Sequence, residues 1–494
     1  MTNLSSETNN GGPPHFIVIV PGYMGSKLRD KKTGEIVWVD FGSIPGNPLK
    51  WEGWLDEMFA KLAYPNEDIE PAGIMDELLF LPPWIKAEHY GRLMDALGDM
   101  GYRADPDQYT EDQLDVYTFS YDWRQDNRIS GRELGEAVQR WGEFHPGAEA
   151  WLIGHSNGGI VSRWYIEKEG GKEKVGKLFL MGSPWDGAPK SMRILFSGLD
   201  TLFRKRFNLF DIANRTRDVL RTFPSSYQLI PVHNPFLRGE DNEVIDPFDE
   251  TEWLTDDTQH EILADGKRFN EELGTTLSVE SLCFFGRKLP TMSFGVVHLE
   301  AGKRWADIEW SATEVGDGTV PERSAIHPKA DQKLPFVVGH GDIYVNPAVL
   351  EFLQWEMVDK YTELDFAVLI TPDYSLLFEP ERDAYQPGEM ITVKAEAYGE
   401  LDKDGQRPPF EGLRIMATLE WQEPLPGDPP IESPPQPTVA NLSPSGEAGS
   451  YSAQLTAPDL EGYYALTGEV HLPGAKPLTL IEMILVEADP VEAG

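Results

Sequence analysis

A serine stands between glycines at Gly154-His155-Ser156-Asn157-Gly158, after the short apolar run Trp151-Leu152-Ile153 and before a helical pattern over 158–167. A serine on so sharp a strand-to-helix turn is lifted clear of the sheet and can act as a nucleophile. The flanking glycines remove side chains that would collide with neighbouring backbone. The same turn leaves the Asn157 amide free to stabilise an oxyanion. A serine hydroxyl attacks poorly alone and needs a base held by a third group. In the strand-turn-helix setting the acid and then the histidine follow the serine in chain order. Asp317 lies in the glycine-flanked turn Val315-Gly316-Asp317-Gly318-Thr319-Val320-Pro321, and His340 lies in Val337-Val338-Gly339-His340-Gly341, directly after an apolar run. Both are expected above the end of a sheet. Asp186, in Gly182-Ser183-Pro184-Trp185-Asp186-Gly187, is a rival acid. His155 adjoins the serine but faces away from the reacting side of the turn, so packing or a structural hydrogen bond is its expected role. His298 and His327 read as loop histidines. A second oxyanion donor is expected from Pro21-Gly22-Tyr23-Met24-Gly25-Ser26, the Tyr23 amide first and Met24 as its alternative.

These groups need a scaffold that brings strand ends together. Residues 16–20 (FIVIV) form an unalternating, β-branched run ending in Pro-Gly, as a parallel strand buried on both faces does. Helix and strand patterns then alternate: a helix at 88–100, a strand at 116–120, a helix at 132–144, strands at 151–153 and 177–181 around the helix after Ser156. This rhythm predicts an α/β fold with a doubly wound, mostly parallel sheet. It breaks from about 189 to 280, a stretch without strand rhythm that reads as a helical lid insertion. It resumes with strands at 282–285 and 336–338, and a helix from 347 to about 361 closes the unit.

Beyond residue 365 the texture changes. Seventeen of the 39 prolines lie there, and short runs at 391–398, 413–421, 450–455, 463–471 and 478–486 read as strands between Pro/Gly turns. The expected organisation is a disordered tail over 1–15, an α/β domain over 16–365, and an all-β, immunoglobulin-like sandwich over 366–494. Residues 423–444 read as an extended, mobile loop.

Composition narrows the chemistry. The chain has 494 residues, 82 acidic against 43 basic side chains and a formal net charge of −39, which argues against nucleic acid as a partner. One cysteine, Cys283, excludes an intramolecular disulfide and a Cys-ligated zinc site. No apolar run approaches a membrane span, and the polar start lacks the features of a signal peptide, so a cytoplasmic location is expected. There is no HExxH and no calcium-loop spacing, so no metal or other cofactor is expected.

Taken in order, the motifs resemble the lecithin:cholesterol acyltransferase (LCAT) family of the α/β-hydrolase superfamily, which includes lysosomal phospholipase-type enzymes. The pieces are Val20-Pro21-Gly22-Tyr23-Met24-Gly25-Ser26, Phe119-Ser120-Tyr121-Asp122-Trp123-Arg124, the Ser156 turn and Gly182 to Gly187. Pro224-Ser225-Ser226-Tyr227-Gln228-Leu229-Ile230-Pro231, Gly316-Asp317-Gly318-Thr319-Val320 and Gly339-His340 complete the series. The resemblance implies Ser156 as nucleophile, Asp317 and His340 as its partners, an oxyanion amide at Tyr23, and an acyl-serine formed from ester-linked acyl chains. Disulfides used by the vertebrate enzymes have no counterpart here, so packing must hold the corresponding loop.

A lipid substrate needs an apolar entrance. Trp51, Trp54, Phe59 and Leu62 are spaced for an amphipathic helix over 48–64, which serves either core packing or a substrate-facing, membrane-touching cap. Between Arg193 and Arg221 lie seven basic side chains against Asp200, Asp211 and Asp218, a local island of positive charge. It suits a solvated helix face or a phosphate or carboxylate head group. Met24, Trp51, Trp54, Trp185, Arg204, Lys205 and Arg206 are the candidate substrate contacts. The expectation is a serine-dependent lipid acyl hydrolase or O-acyltransferase, with transient membrane-surface contact and a C-terminal domain that binds an unidentified partner. An esterase for small soluble esters and a non-catalytic binding protein on a hydrolase scaffold are the alternatives.

Overall fold

The computed structural model describes residues 14–38, 51–75, 90–104, 114–198, 212–300, 303–311, 314–357, 375–382, 384–398, 409–424, 431, 433–446, 448–471 and 478–488. The expected tail at 1–15 lies outside these residues up to 13.

Seven parallel strands make the central sheet. Its order is Gln332–Phe336, Glu280–Gly286, Val175–Met181, Glu149–His155, His15–Val20, Leu114–Thr118 and Tyr102–Ala104. Every residue of His15–Val20 is buried, as its unalternating run predicts. Alternate residues feed different layers. Phe16, Val18 and Val20 join Leu152, Leu178 and Leu180 on the face covered by the Asn127–Gly142 helix, through Leu134, Ala137 and Val138. Ile17 and Ile19 join Ile153, Phe179 and Met181 on the other face, under the Gly91–Asp99 and Pro347–Met357 helices. Helices on both faces of a parallel sheet are the doubly wound arrangement. Sequence order reverses beside His15–Val20, which pairs with Leu114–Thr118 on one side and Glu149–His155 on the other. The carboxyl ends of the central strands flank this reversal, the place where doubly wound sheets hold their ligands.

Two sequence expectations change here. The last sheet strand is Gln332–Phe336 and not 336–338. It is an edge strand whose exposure alternates, so its buried face is carried by every second residue and the apolar run at 336–338 falls beyond it. The 189–280 insertion is mainly helical, with Pro189–Ser197, Ile212–Leu220, Pro224–Gln228 and Asp257–Leu273, but it also holds two short strands. Leu237–Gly239 and Val244–Ile245 join Phe294–Glu300 and Lys303–Ser311 in a four-stranded sheet. Strands of two or three residues are too short to display a period.

The described C-terminal residues are all-β, as expected. Eight strands pair in one continuous order, mostly antiparallel, around a core that includes Ile391, Val393, Leu419, Leu466 and Ile484. Ser375–Pro380 and Ala384–Tyr385 add to the strands expected from sequence, and Thr438–Pro444 is a strand where a mobile loop was expected. Its partner, Arg414–Glu423, supplies the ladder hydrogen bonds that its proline-rich surroundings disguise. Among the described residues no helix is long and apolar enough to cross a membrane.

Candidate active site

The Glu149–His155 strand runs into the Asn157–Lys168 helix through a single residue, Ser156, at φ 49° and ψ −122°. That backbone region is sparsely populated for L-residues and is held by its surroundings. The helix must begin almost touching the first strand: a β-carbon on Gly158 would lie 2.1 Å from the Val20 carbonyl oxygen, and one on Gly159 would lie 2.0 Å from Ser183 Oγ. Gly158→Ala is thus expected to destabilise the fold by roughly 1–3 kcal/mol, the usual range for forcing a methyl into filled space. Thermal unfolding checks this, and an unchanged midpoint would show that the elbow can relax.

Ser156, 8% exposed, donates its hydroxyl hydrogen to His340 Nε2 at 2.9 Å, and His340 Nδ1 donates to Asp317 Oδ2 at 2.7 Å. These partners fix the tautomer, because the carboxylate can only accept. Asp317 is buried and its second oxygen accepts from the Thr319 and Val320 amides at 2.9 and 2.7 Å. Its own carbonyl accepts the His340 amide at 2.9 Å, so Asp317 and His340 are joined through backbone as well as side chain. Asp317 reaches this place from an excursion after the Glu280–Gly286 strand, where Glu314–Gly316 pairs with Leu289–Thr291. Gly182, at the end of Val175–Met181, makes room for the pair: a β-carbon there would lie 3.2 Å from both Asp317 Oδ2 and His340 Nδ1.

The rival acid is occupied. Asp186 accepts from the amides of Val232, His233 and Asn234 and from Asn234 Nδ2, at 2.6–3.0 Å, and so fastens the chain that leaves Pro224–Gln228. His298 pairs with Glu240 at the surface. His327 is buried and its imidazole is pushed down to about 3, first by burial and then by the Arg163 and Lys333 charges.

The 21–26 loop turns sharply, with the Gly25 amide donating to the Gly22 carbonyl at 3.0 Å and Met24 at φ 66°. Tyr23 and Ser226 share a hydroxyl–hydroxyl hydrogen bond at 2.7 Å, and burial raises the Tyr23 phenol well above its ordinary range. Beneath the loop Tyr121 Oη donates to the Pro21 carbonyl at 3.0 Å, while Asn157 Nδ2 donates to Tyr121 Oη at 3.1 Å. Asn157 and Asn127 exchange amide hydrogen bonds at 2.9 and 3.1 Å. Gln228 accepts the Asn127 amide and donates to Asp126. The Phe119–Arg124 and Pro224–Pro231 motifs are thus brought together under the 21–26 loop, with Ser225 Oγ donating to the Trp123 carbonyl at 2.6 Å.

The remaining candidates fall differently. Met24 is half-buried against the core and its carbonyl accepts Trp38 Nε1. Trp185 is also half-buried, donates to the Arg323 carbonyl at 3.0 Å and stacks on His233, which makes it an anchor of its own turn. Trp51 and Trp54 lie on the Trp51–Leu62 helix with their side chains outside the described residues. Arg204, Lys205 and Arg206 lie outside them altogether. Of the basic island, Arg215 pairs with Asp56, Arg217 with Asp218, and buried Arg221 donates to the Leu195 and Trp253 carbonyls, so these cations are engaged within the chain. Sequence reasoning missed Lys190, whose Nζ donates to Thr319 Oγ1 at 3.2 Å beside the acid turn. Burial holds its ammonium below the ordinary lysine range, with the Asp317 charge pulling the other way. It also missed Tyr90 and Asn127, which no local motif marks.

Residues 78–279 match the family model of lecithin:cholesterol acyltransferase. That stretch holds Ser156, Asp186 and Pro224 to Pro231, and supports hydrolysis or transfer of acyl esters in general. It ends before Asp317 and His340. No curated protein matches the chain. Among solved structures, the mature form of the Bacillus licheniformis lipase BlEst2 is 13% identical, with a TM-score of 0.29, covering 67% of this chain and 86% of that one. The lin2722 product of Listeria innocua is 14% identical, with a TM-score of 0.30, covering 71% and 96%. Phospholipase PlaB from Legionella pneumophila in complex with thio-NAD is 10% identical, with a TM-score of 0.26, covering 95% and 89%.

Proposed function

For a chain that is lecithin:cholesterol acyltransferase-like over residues 78–279, we propose a serine-dependent lipid acyl hydrolase or O-acyltransferase that works through an acyl-serine. The single observation that carries this reading is the Ser156–His340–Asp317 line, hydrogen-bonded at 2.9 and 2.7 Å at the carboxyl ends of a parallel sheet. His340 Nε2 takes the Ser156 proton as Oγ forms a bond to the ester carbonyl carbon. Asp317 holds the ring in its tautomer and stabilises the imidazolium. The Tyr23 and Asn157 amides hold the oxyanion, Asn157 being the first residue of a helix whose opening amides have no partner within it. The tetrahedral intermediate collapses, the carbon–oxygen bond to the leaving alcohol breaks, and that alcohol takes the proton from His340. Water or a second alcohol then attacks the acyl-serine and gives its proton to His340, which passes it to Ser156 Oγ as the bond from that oxygen to the acyl carbon breaks, releasing acid or new ester and free Ser156.

The reading includes a division into an α/β domain over 16–365 and an immunoglobulin-like domain over 366–494. Every group used in the chemistry precedes Gly341, so the second domain is assigned to a partner and not to the reaction. Met24, Trp51 and Trp54 are proposed to face acyl chains, and Arg204, Lys205 and Arg206 to face an anionic head group.

Phosphatidylcholine vesicles containing a long-chain alcohol test the substrate class. Mass spectrometry should find free fatty acid or the alcohol's acyl ester, formed faster than p-nitrophenyl butyrate is hydrolysed at equal acyl concentration. Turnover of the butyrate with untouched vesicles would favour the small-ester alternative. No turnover of either would favour a non-catalytic scaffold.

A further inference from the structure

We propose that a buried hydrogen-bond relay through Tyr90 and His155 fixes the oxyanion loop relative to the base loop, making both side chains positioning residues for Ser156 chemistry. This rests on the function proposed above. The Gly22 amide donates to Tyr90 Oη at 2.8 Å, Tyr90 Oη and His155 Nδ1 are 2.9 Å apart, and His155 Nε2 lies 3.1 Å from the His340 carbonyl oxygen. Tyr90 is 0% and His155 1% exposed.

The direction of the relay is forced by its ends. A carbonyl oxygen only accepts, so His155 Nε2 carries hydrogen, and in the neutral ring Nδ1 is then an acceptor. Tyr90 must donate its hydroxyl hydrogen to Nδ1, which leaves its oxygen to accept from Gly22. Each group therefore has one orientation, and such a chain is stiffer than its separate bonds. The rings are clamped as well. Tyr344, from the short helical turn His340–Val345, stacks on Tyr90 with centroids 4.7 Å apart and meets His155 edge-on at 4.7 Å. The His155 and His340 rings are 5.0 Å apart.

The sheet alone does not make this connection. The strand before Gly22 and the strand before His340 are separated by three others, so at ~4.8 Å per step their ends lie about 19 Å apart. Two loops must reach over that gap, and the relay joins the residue before Tyr23 to the backbone of the base itself.

Tyr90→Phe keeps the ring and removes the hydroxyl. His155→Gln keeps a donor for the His340 carbonyl and loses the Nδ1 acceptor. Each single variant, normalised to the fraction labelled at Ser156 by a fluorophosphonate, is expected to lose about ten-fold in kcat on p-nitrophenyl butyrate with KM within about two-fold. That is less than the ~10²–10³ cost of losing an oxyanion donor outright. Because both changes cut one link, the double variant should be no slower than either single one, a strong departure from additivity. Unchanged kcat in the labelled fraction with a lowered unfolding temperature, or losses that multiply in the double variant, would overturn the relay and leave an ordinary packing role. If one variant fails to fold, the kcat of the other decides between these outcomes. A wild-type protein that is not labelled at all would instead overturn the serine mechanism beneath the proposal.

Discussion

Ser156→Ala is expected to lower kcat by roughly 10⁵–10⁶ on every ester the protein turns over. Alanine keeps the β-carbon and the strained backbone of the elbow, so the variant should fold and bind substrate as before. What it lacks is the oxygen that forms the covalent bond; the amides of Tyr23 and Asn157 and simple binding supply whatever rate remains. A fluorophosphonate should attach once to the wild type and not at all to this variant. Stoichiometric labelling of the alanine protein would place the nucleophile elsewhere.

Asp317→Asn should lower kcat by about 10⁴, and His340→Ala should be similarly severe. The asparagine oxygen can still accept from the Thr319 and Val320 amides, so the turn survives. Its NH₂ then faces His340 Nδ1 and donates to it, which drives the ring hydrogen to Nε2, where it blocks proton transfer from Ser156. Asp186→Asn is the contrast. Its carboxylate satisfies four donors around Val232–Asn234, and replacing one oxygen by NH₂ leaves a donor facing donors. That should cost about 1–3 kcal/mol of stability while leaving kcat in the folded fraction near wild type. A crippled Asp186→Asn beside a mild Asp317→Asn would exchange the two acids.

The sheet and the hydrogen-bonded line of Ser156, His340 and Asp317 were legible because each leaves a local trace. A strand buried on both faces must be apolar throughout, a serine elbow needs glycine on both sides, and an acid turn needs glycine or threonine beside it. The short strands of the 189–280 insertion left no trace, since two or three residues cannot display a period. Tyr90 and Asn127 were illegible for another reason. Each is an ordinary residue in its own segment, and only the approach of distant chain gives it a role: Tyr90 meets Gly22 across 68 positions and Asn127 meets Asn157 across 30. Arginines 215, 217 and 221 show the converse. Their clustering suggested a solvated helix face or a place for an anionic head group, but charge counted along a sequence says nothing about the carboxylates and carbonyls that folding brings to meet it.

The placement of His340 just beyond an edge strand bears on biosynthesis. Glu149–His155 and its neighbours can pair as soon as they leave the ribosome, whereas Gln332–Phe336 is the last of the seven sheet strands to be translated. His340 follows Ser156 by 184 positions, which at ~5–20 residues per second is a delay of roughly 10–40 s. Throughout that interval a nascent chain carries the elbow without His340. On the proposed mechanism such a chain is inert toward the esters around it, and docking of one peripheral strand is the step that arms it.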